Sequence, residues 1–286
     1  MRLCGTRRDP GAPAFLYGAV AALVFAVPTL AAEIVPDVPF VPTPQVVVDE
    51  MLRVGKVGPG DFVIDLGSGD GRIPITAAKE FGARAMGVEL DENLIFQSEE
   101  RARQAAVEEH VKFLRQDLFK TDLTQATVIT MYLLPSVNRR LRPRLLELKP
   151  GTRIVAHDFD LDDWKPDQMT TIRKNVFLWV VPAKVAGRWR ARVPLPDGPR
   201  TIEVELNQRF QEVNGLARID GQVAQMWETR LSGEHLSFVL VDSADREHEA
   251  GLYFEGRVRA GVIEGEIRRG VGNAQTRIKW QAAKVN

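Results

Sequence analysis

The run Phe62-Val63-Ile64-Asp65-Leu66-Gly67-Ser68-Gly69-Asp70-Gly71-Arg72 confines this chain more than any other stretch. Its apolar start reads as a buried strand, its alternating glycines as a tight turn, and the apolar pattern resuming at Ile73 as a helix. Strand, glycine turn and helix start form the opening unit of an α/β sheet. Such a turn aims backbone N–H groups and the positive end of a helix dipole at a ligand, and its glycines let that ligand approach the main chain. A cofactor cradle built from Asp65, Gly67, Ser68, Gly69, Asp70 and Gly71 is expected. A turn that is merely structural is the alternative at this point.

Spacing narrows the ligand. A dinucleotide fingerprint, G-x-G-x-x-G/A, wants a small residue where Arg72 stands, which weakens the pyrophosphate reading. The pattern present, D-x-G-x-G-x-G with an acid at the strand end, suits a ligand that carries both an ammonium and a carboxylate. The methionine portion of S-adenosylmethionine carries both. The next strand, Arg84 to Glu89, ends in an acid where such folds place a ribose-binding carboxylate. A third acid, Asp117, closes the strand from Val111 and is suited to accept from the exocyclic amine of adenine. Three neighbouring strands that each end in an acid support the cofactor reading jointly.

Through Asp65 to Gly71, Gly87-Val88-Glu89 and Gln116-Asp117-Leu118, the sequence resembles the class I S-adenosylmethionine-dependent methyltransferases over roughly residues 39 to 183. More narrowly, Pro39-Phe40-Val41-Pro42-Thr43-Pro44 together with Gly67-Ser68-Gly69-Asp70-Gly71-Arg72-Ile73 is similar to the ATP synthase c-subunit lysine methyltransferase family. The resemblance implies a Rossmann-like, seven-strand sheet. In it Asp65 and the glycines hold the methionine moiety, Glu89 the ribose and Asp117 the adenine, while the segment with Pro42 and Thr43 lies over the cofactor. It also implies a protein lysine as methyl acceptor. Read from its own residues, the same segment is a helix entry, with Thr43 as N-cap and Pro44 at the first helical position.

From Phe62 onward, strand and helix alternate. Helices are expected over Arg72 to Phe81, Asp91 to Glu108 with Asp91 as N-cap, and Ser136 to Leu148. Strands are expected over Arg84 to Glu89, Val111 to Asp117, Ala126 to Tyr132 and Arg153 to His157, followed by a closing pair, Gln168 to Ile172 and Asn175 to Val181. Alternation predicts a parallel sheet with its site at the strand carboxyl ends. From about Gly187 the period becomes two and glycines recur at turn spacing, so a small antiparallel barrel or sandwich follows. The expected division is a signal peptide or anchor over 1–32, a methyltransferase domain over 33–185 and a β domain over 186–286. Arg188-Trp189-Arg190 and Trp227 fit either barrel core or a ligand contact.

Methyl transfer is an in-line displacement that needs a positioned nucleophile more than acid–base side chains. A lysine acceptor must first lose a proton, to water or to a base. The candidates are Tyr132 at the end of the fourth strand and His157 or Asp158 at the end of the fifth. The run Tyr132-Leu133-Leu134-Pro135 departs from the Asn/Asp-Pro-Pro-Tyr-like run of enzymes acting on amide or ring nitrogens. No metal-ligand spacing is present, and no metal site is expected. A small-molecule O- or N-methyltransferase, or a non-catalytic envelope protein that keeps the fold for binding, are the alternatives.

The chain's 286 residues carry a formal net charge of zero, which argues against broad attraction to nucleic acid, and no nucleic-acid partner is expected. The basic cluster Arg139-Arg140-Leu141-Arg142-Pro143-Arg144 reads as the solvated face of a helix. Cys4 is the single cysteine, so no intramolecular disulfide can form. Arg2, Arg7 and Arg8, the apolar run Phe15 to Leu30 and the small residues before Glu33 have the layout of a secretory signal or anchor. They predict a cell-envelope location and membrane association, in tension with a cofactor that is made inside cells.

Overall fold

The computed structural model describes residues 40–242, 251–269 and 276–285. Its first part is a seven-stranded sheet: β1 (Phe62–Leu66), β2 (Arg84–Glu89), β3 (Val111–Arg115), β4 (Val128–Met131), β5 (Arg153–His157), β6 (Gln168–Thr171) and β7 (Asn175–Val180). The strand order is β3-β2-β1-β4-β5-β7-β6. β1 to β5 run parallel, and β7 runs antiparallel to both β5 and β6. Chain order therefore reverses at β1, between β2 and β4, and the crevice outside the strand carboxyl ends at such a switch point is where ligands bind in open α/β sheets.

Helices α1 (Gln45–Val54), α2 (Arg72–Phe81) and α3 (Glu92–Gln104) cover one face, and α4 (Pro135–Leu145) covers the other. The apolar side of α1, Val47, Val48, Met51, Leu52 and Val54, is buried with Val155, Val176 and Leu178 of the sheet. α3 starts where the Asp91 carboxylate accepts from the amide of Asn93 at 2.8 Å, so one of the free amides at its N-terminus is satisfied.

Several expected boundaries move. α3 stops at Gln104 rather than Glu108, because Ala106 turns left-handed at φ 55°. β3 ends at Arg115, which leaves Asp117 in the following loop, and β4 ends one residue before Tyr132. The residue at the N-cap of α1 is Pro44, not Thr43, and Thr43 makes no capping bond. The basic cluster of α4 is not a plain solvated face. Arg144 donates to the carbonyls of Leu118, Phe119 and Thr121, Arg142 to that of Leu161, and the Arg140 guanidinium lies 3.9 Å over the Phe119 ring.

The second part is a closed antiparallel barrel of β8 (Gly187–Leu195), β9 (Gly198–Arg209), β10 (Glu212–Ile219), β11 (Gln222–Ser232), β12 (His235–Asp242), β13 (Leu252–Arg259), β14 (Val262–Arg269) and β15 (Thr276–Val285). Closure decides between the two architectures that alternation left open. Inward residues fill the lumen: Phe238 stacks on Phe254 at 4.7 Å, Trp280 meets Phe254 edge-on at 5.0 Å, and a cavity of only about 10 Å³ remains among them. Trp189 belongs to this core, whereas Trp227 is exposed on the outer wall.

The cell-envelope location expected above is corrected, and the described residues give membrane association no support. Among the described residues no helix is long and apolar enough to cross a membrane. The segment that suggested a signal or anchor, residues 1–32, lies outside the described residues.

Candidate active site

Gly67, Gly69 and Gly71 all take positive φ, 74°, 52° and 77°, so the turn between β1 and α2 is built from conformations that side-chain-bearing residues resist. Four of its amides are already engaged within the protein. Gly67 and Ser68 both donate to the Val88 carbonyl at 2.9 Å, Gly71 donates to Ser68, and Gly69 donates to Glu89 Oε2 at 3.0 Å. What the glycines provide is room. A Cβ on Gly69 would lie 2.3 Å from the ring of Phe40, and one on Gly87 would lie 2.6 Å from both the Phe113 ring and the Ser68 hydroxyl.

Asp65, the penultimate residue of β1, is only 2 % exposed, and the sole described hydrogen-bond partner of its carboxyl is Thr130 of β4, its register neighbour, at 2.7 Å. Burial pushes its carboxyl up to about 8, the Thr130 hydroxyl works against this, and the charges of Glu89 and Asp70 add to it. Among the described residues no cation offsets this carboxyl. Glu89 is half-buried at the end of β2 and also accepts from the amides of Leu90 and Asp91 at 2.7 and 3.1 Å. Asp117 lies two residues past β3, where Oδ1 accepts from the Phe119 amide at 2.8 Å. The acids thus stand at the carboxyl ends of three adjacent strands.

Asp70 is used differently. Its carboxylate accepts from Arg72 Nε at 2.9 Å and Nη2 at 2.6 Å and pairs with Arg101 of α3, which ties the turn to both helices. Burial works to raise its pKa, but the two guanidiniums outweigh burial and hold it below the ordinary value. Arg72 also donates to the Thr43 carbonyl at 2.7 Å. The segment Phe40-Val41-Pro42-Thr43 is thereby strapped to the glycine turn, with the Phe40 ring against Gly69. Arg72, the residue that broke the dinucleotide pattern, is the strap's fastening. Its misfit was the one sequence signal that could have marked it.

Thr43 also reaches the other side of the cleft, where its hydroxyl lies 3.2 Å from Nδ1 of the buried His157. The His157 ring sits under Tyr132, centroids 4.0 Å apart, and Tyr132 in turn stacks with Phe159 at 6.2 Å. Burial lowers the His157 pKa, with nearby Asp158 opposing and Lys174 reinforcing, so the imidazole is neutral at pH 7. Its Nε2 is buried and has no partner among the described residues. Tyr132 is half-exposed and His157 lies behind it. Asp158, left-handed at φ 64°, is paired with Lys174 at 3.0 Å. Thr130 and Phe159 are the members of the site that sequence reading missed. Neither carries a local signal, since only strand register and a turn bring them in.

Comparison with known proteins agrees with this geometry. The family model described as the ANTKMT methyltransferase domain matches residues 65–168. A protein-lysine N-methyltransferase of Saccharolobus islandicus is 42% identical over 154 residues, which cover 51% of this chain and 96% of that protein. The ATP synthase c-subunit lysine N-methyltransferase of Mus musculus is 39% identical over 133 residues, which cover 46% of this chain and 53% of that enzyme, about half its length. A crystal structure of an RNA methyltransferase from Salinibacter ruber in complex with S-adenosyl-L-homocysteine is 48% identical, with a TM-score of 0.50, covering 51% of this chain and 96% of that one. A glycine turn at the switch point, a row of strand-end acids and a relative matched over nearly its whole length agree, and the chain belongs to the ANTKMT methyltransferase family, as an enzyme whose cofactor is S-adenosylmethionine.

Proposed function

We propose that this enzyme methylates lysine side chains of protein, and that Asp65, Glu89, Asp117 and the turn Gly67 to Gly71 hold its cofactor. The observation that carries the cofactor assignment is Asp65, a buried carboxyl whose single described hydrogen-bond partner is Thr130 and beside which no cation stands among the described residues. The ammonium of a methionine moiety is the counter-charge it lacks. Glu89 and Asp117 are suited to accept from ribose hydroxyls and from the adenine amine. Gly67, Ser68, Gly69 and Gly71 form the tight turn beside which the ligand lies, and the side chain of Asp70 holds that turn in shape. Pro42 and Thr43 form the cover.

When bound, the cofactor supplies a methyl carbon made electrophilic by its sulfonium. A lysine Nζ, once deprotonated, would be the nucleophile toward that carbon, the C–N bond forming as the C–S pair returned to sulfur. Tyr132 faces the acceptor and orients the amine, while His157, neutral and fixed through Thr43, backs the Tyr132 ring. With Nε2 buried, His157 acts on the acceptor through Tyr132, and the lysine proton leaves to water. Water exclusion by the strap and the aromatic layer raises the yield of transfer.

Lysine as acceptor rests on the name of the Saccharolobus relative. The name of the Salinibacter neighbour supports RNA as the second reading. The filled barrel lumen gives a small-molecule acceptor no support. Incubating the full chain with methyl-labelled S-adenosylmethionine and separated protein and RNA fractions distinguishes these outcomes. Label recovered as methyl-lysine, and lost with Glu89→Ala, is expected. Label confined to RNA moves the acceptor class, and no transfer into either by a protein that binds S-adenosylhomocysteine rejects both.

A further inference from the structure

The family match ends at residue 168, before the barrel begins at Gly187, so nothing in it assigns the barrel a task. We infer that the β9–β10 hairpin of the barrel positions the loop that follows β5, and through it the acceptor side of the site. The inference rests on the reading above that Tyr132 and its neighbours face the methyl acceptor.

The loop leaves β5 beyond His157, places Phe159 against Tyr132, and runs on to Trp164 and Lys165. Near its start, Asn138 of α4 donates to the carbonyls of Phe159 and Asp160 at 3.2 and 3.0 Å. Its far end is held by the barrel. Trp164 is fully buried; its indole N–H donates to Gln211 Oε1 at 2.9 Å, while Gln211 Nε2 donates back to the Lys165 carbonyl at 2.7 Å. Phe210 stacks on Trp164 at 5.9 Å. Arg209 pairs with Asp163 at 2.8 Å, and Lys165 with Glu212 at 2.9 Å. Four consecutive residues, Arg209 to Glu212, therefore all engage the loop.

Local backbone preference argues that this contact is selected rather than incidental. Other hairpins of the barrel turn on glycine: Asp220-Gly221 at φ 49° and 83°, Ala260-Gly261 at 46° and 77°, and Gly233 at 57°. The β9–β10 turn instead holds Phe210 at φ 55°, a conformation costly for a bulky side chain. A glycine would relieve that strain and lose the ring on Trp164. The chain keeps the ring.

The test uses the full chain with Phe210→Gly, Phe210→Tyr and Gln211→Ala, reading three quantities. These are S-adenosylhomocysteine affinity, methyl transfer against increasing concentrations of extract protein, and amide hydrogen exchange over residues 158–165. Phe210→Gly and Gln211→Ala are expected to raise the extract concentration for half-maximal transfer at least fivefold and to speed loop exchange at least tenfold. Cofactor affinity should stay within twofold, and Phe210→Tyr should restore both other readouts. Unchanged loop exchange, or unchanged half-saturation, overturns the inference. If the wild type transfers no methyl group to protein, the acceptor reading falls, and loop exchange still decides whether the hairpin orders the loop.

Discussion

Asp65 makes a chemical prediction that no other residue does. With its carboxyl raised to about 8 by burial, the ligand-free protein holds it protonated at pH 7. An ammonium placed beside it favours the ionised form, so binding of S-adenosylhomocysteine at pH 7 should release about one proton per site, falling toward zero above pH 9. Calorimetry in buffers of different ionisation enthalpy reads this directly, and Asp65→Asn should abolish the release. At Glu89 the expectation is energetic: Glu89→Ala should weaken S-adenosylhomocysteine binding by roughly 1.5 to 3 kcal/mol, since charged hydrogen bonds to the ligand and the brace on the Gly69 amide are lost together. Equal affinity for variant and wild type would remove Glu89 from the site. Both acids were legible in the sequence because each follows an apolar strand and stands next to a glycine or a helix start. Thr130 was not, because its value lies in being opposite Asp65 across two strands. Arg72 read only as a misfit, since its partner Thr43 lies far back in the chain and is brought to it by folding.

Among the elements, α3 shows what sequence can and cannot mark. Its start was plain: Asp91 precedes the helix and caps it. Asp91→Ala should therefore destabilise the protein by about 0.5 to 2 kcal/mol in urea titration, with little change in m. Its end was not plain, for the chain leaves the helix through Ala105 and a left-handed Ala106, where neither glycine nor asparagine gives warning. Tertiary contact sets that boundary: the Val107 amide bonds back to Ala102, and Val107 is buried in the sheet core. The reading of Thr43 as the N-cap of α1 failed for a related reason. Thr43 had the chemistry of a cap, yet folding takes its hydroxyl to His157.

At the scale of the molecule, the two parts have separate cores. Phe238, Phe254 and Trp280 lie in one, while Ile64, Met131 and Trp179 lie in another on the sheet. Trp280→Ala should cost about 3 to 5 kcal/mol of barrel stability, seen as a lowered first transition on heating, and leave S-adenosylhomocysteine affinity within twofold. A parallel loss of affinity would mean that the two parts melt as one. The α/β order was readable from alternation between strand and helix, and the β character of the second part from its period of two. Closure was not readable, because it depends on which strands meet at the seam. That seam joins β15 to β8, so the ring is completed by strands at opposite ends of its sequence. During synthesis the sheet and its cleft can therefore assemble while the barrel is still an unsealed ribbon with bare edges. Of the barrel's strands, β15 is the last in chain order, and its pairing with β8 is the one that shuts those edges against neighbouring chains.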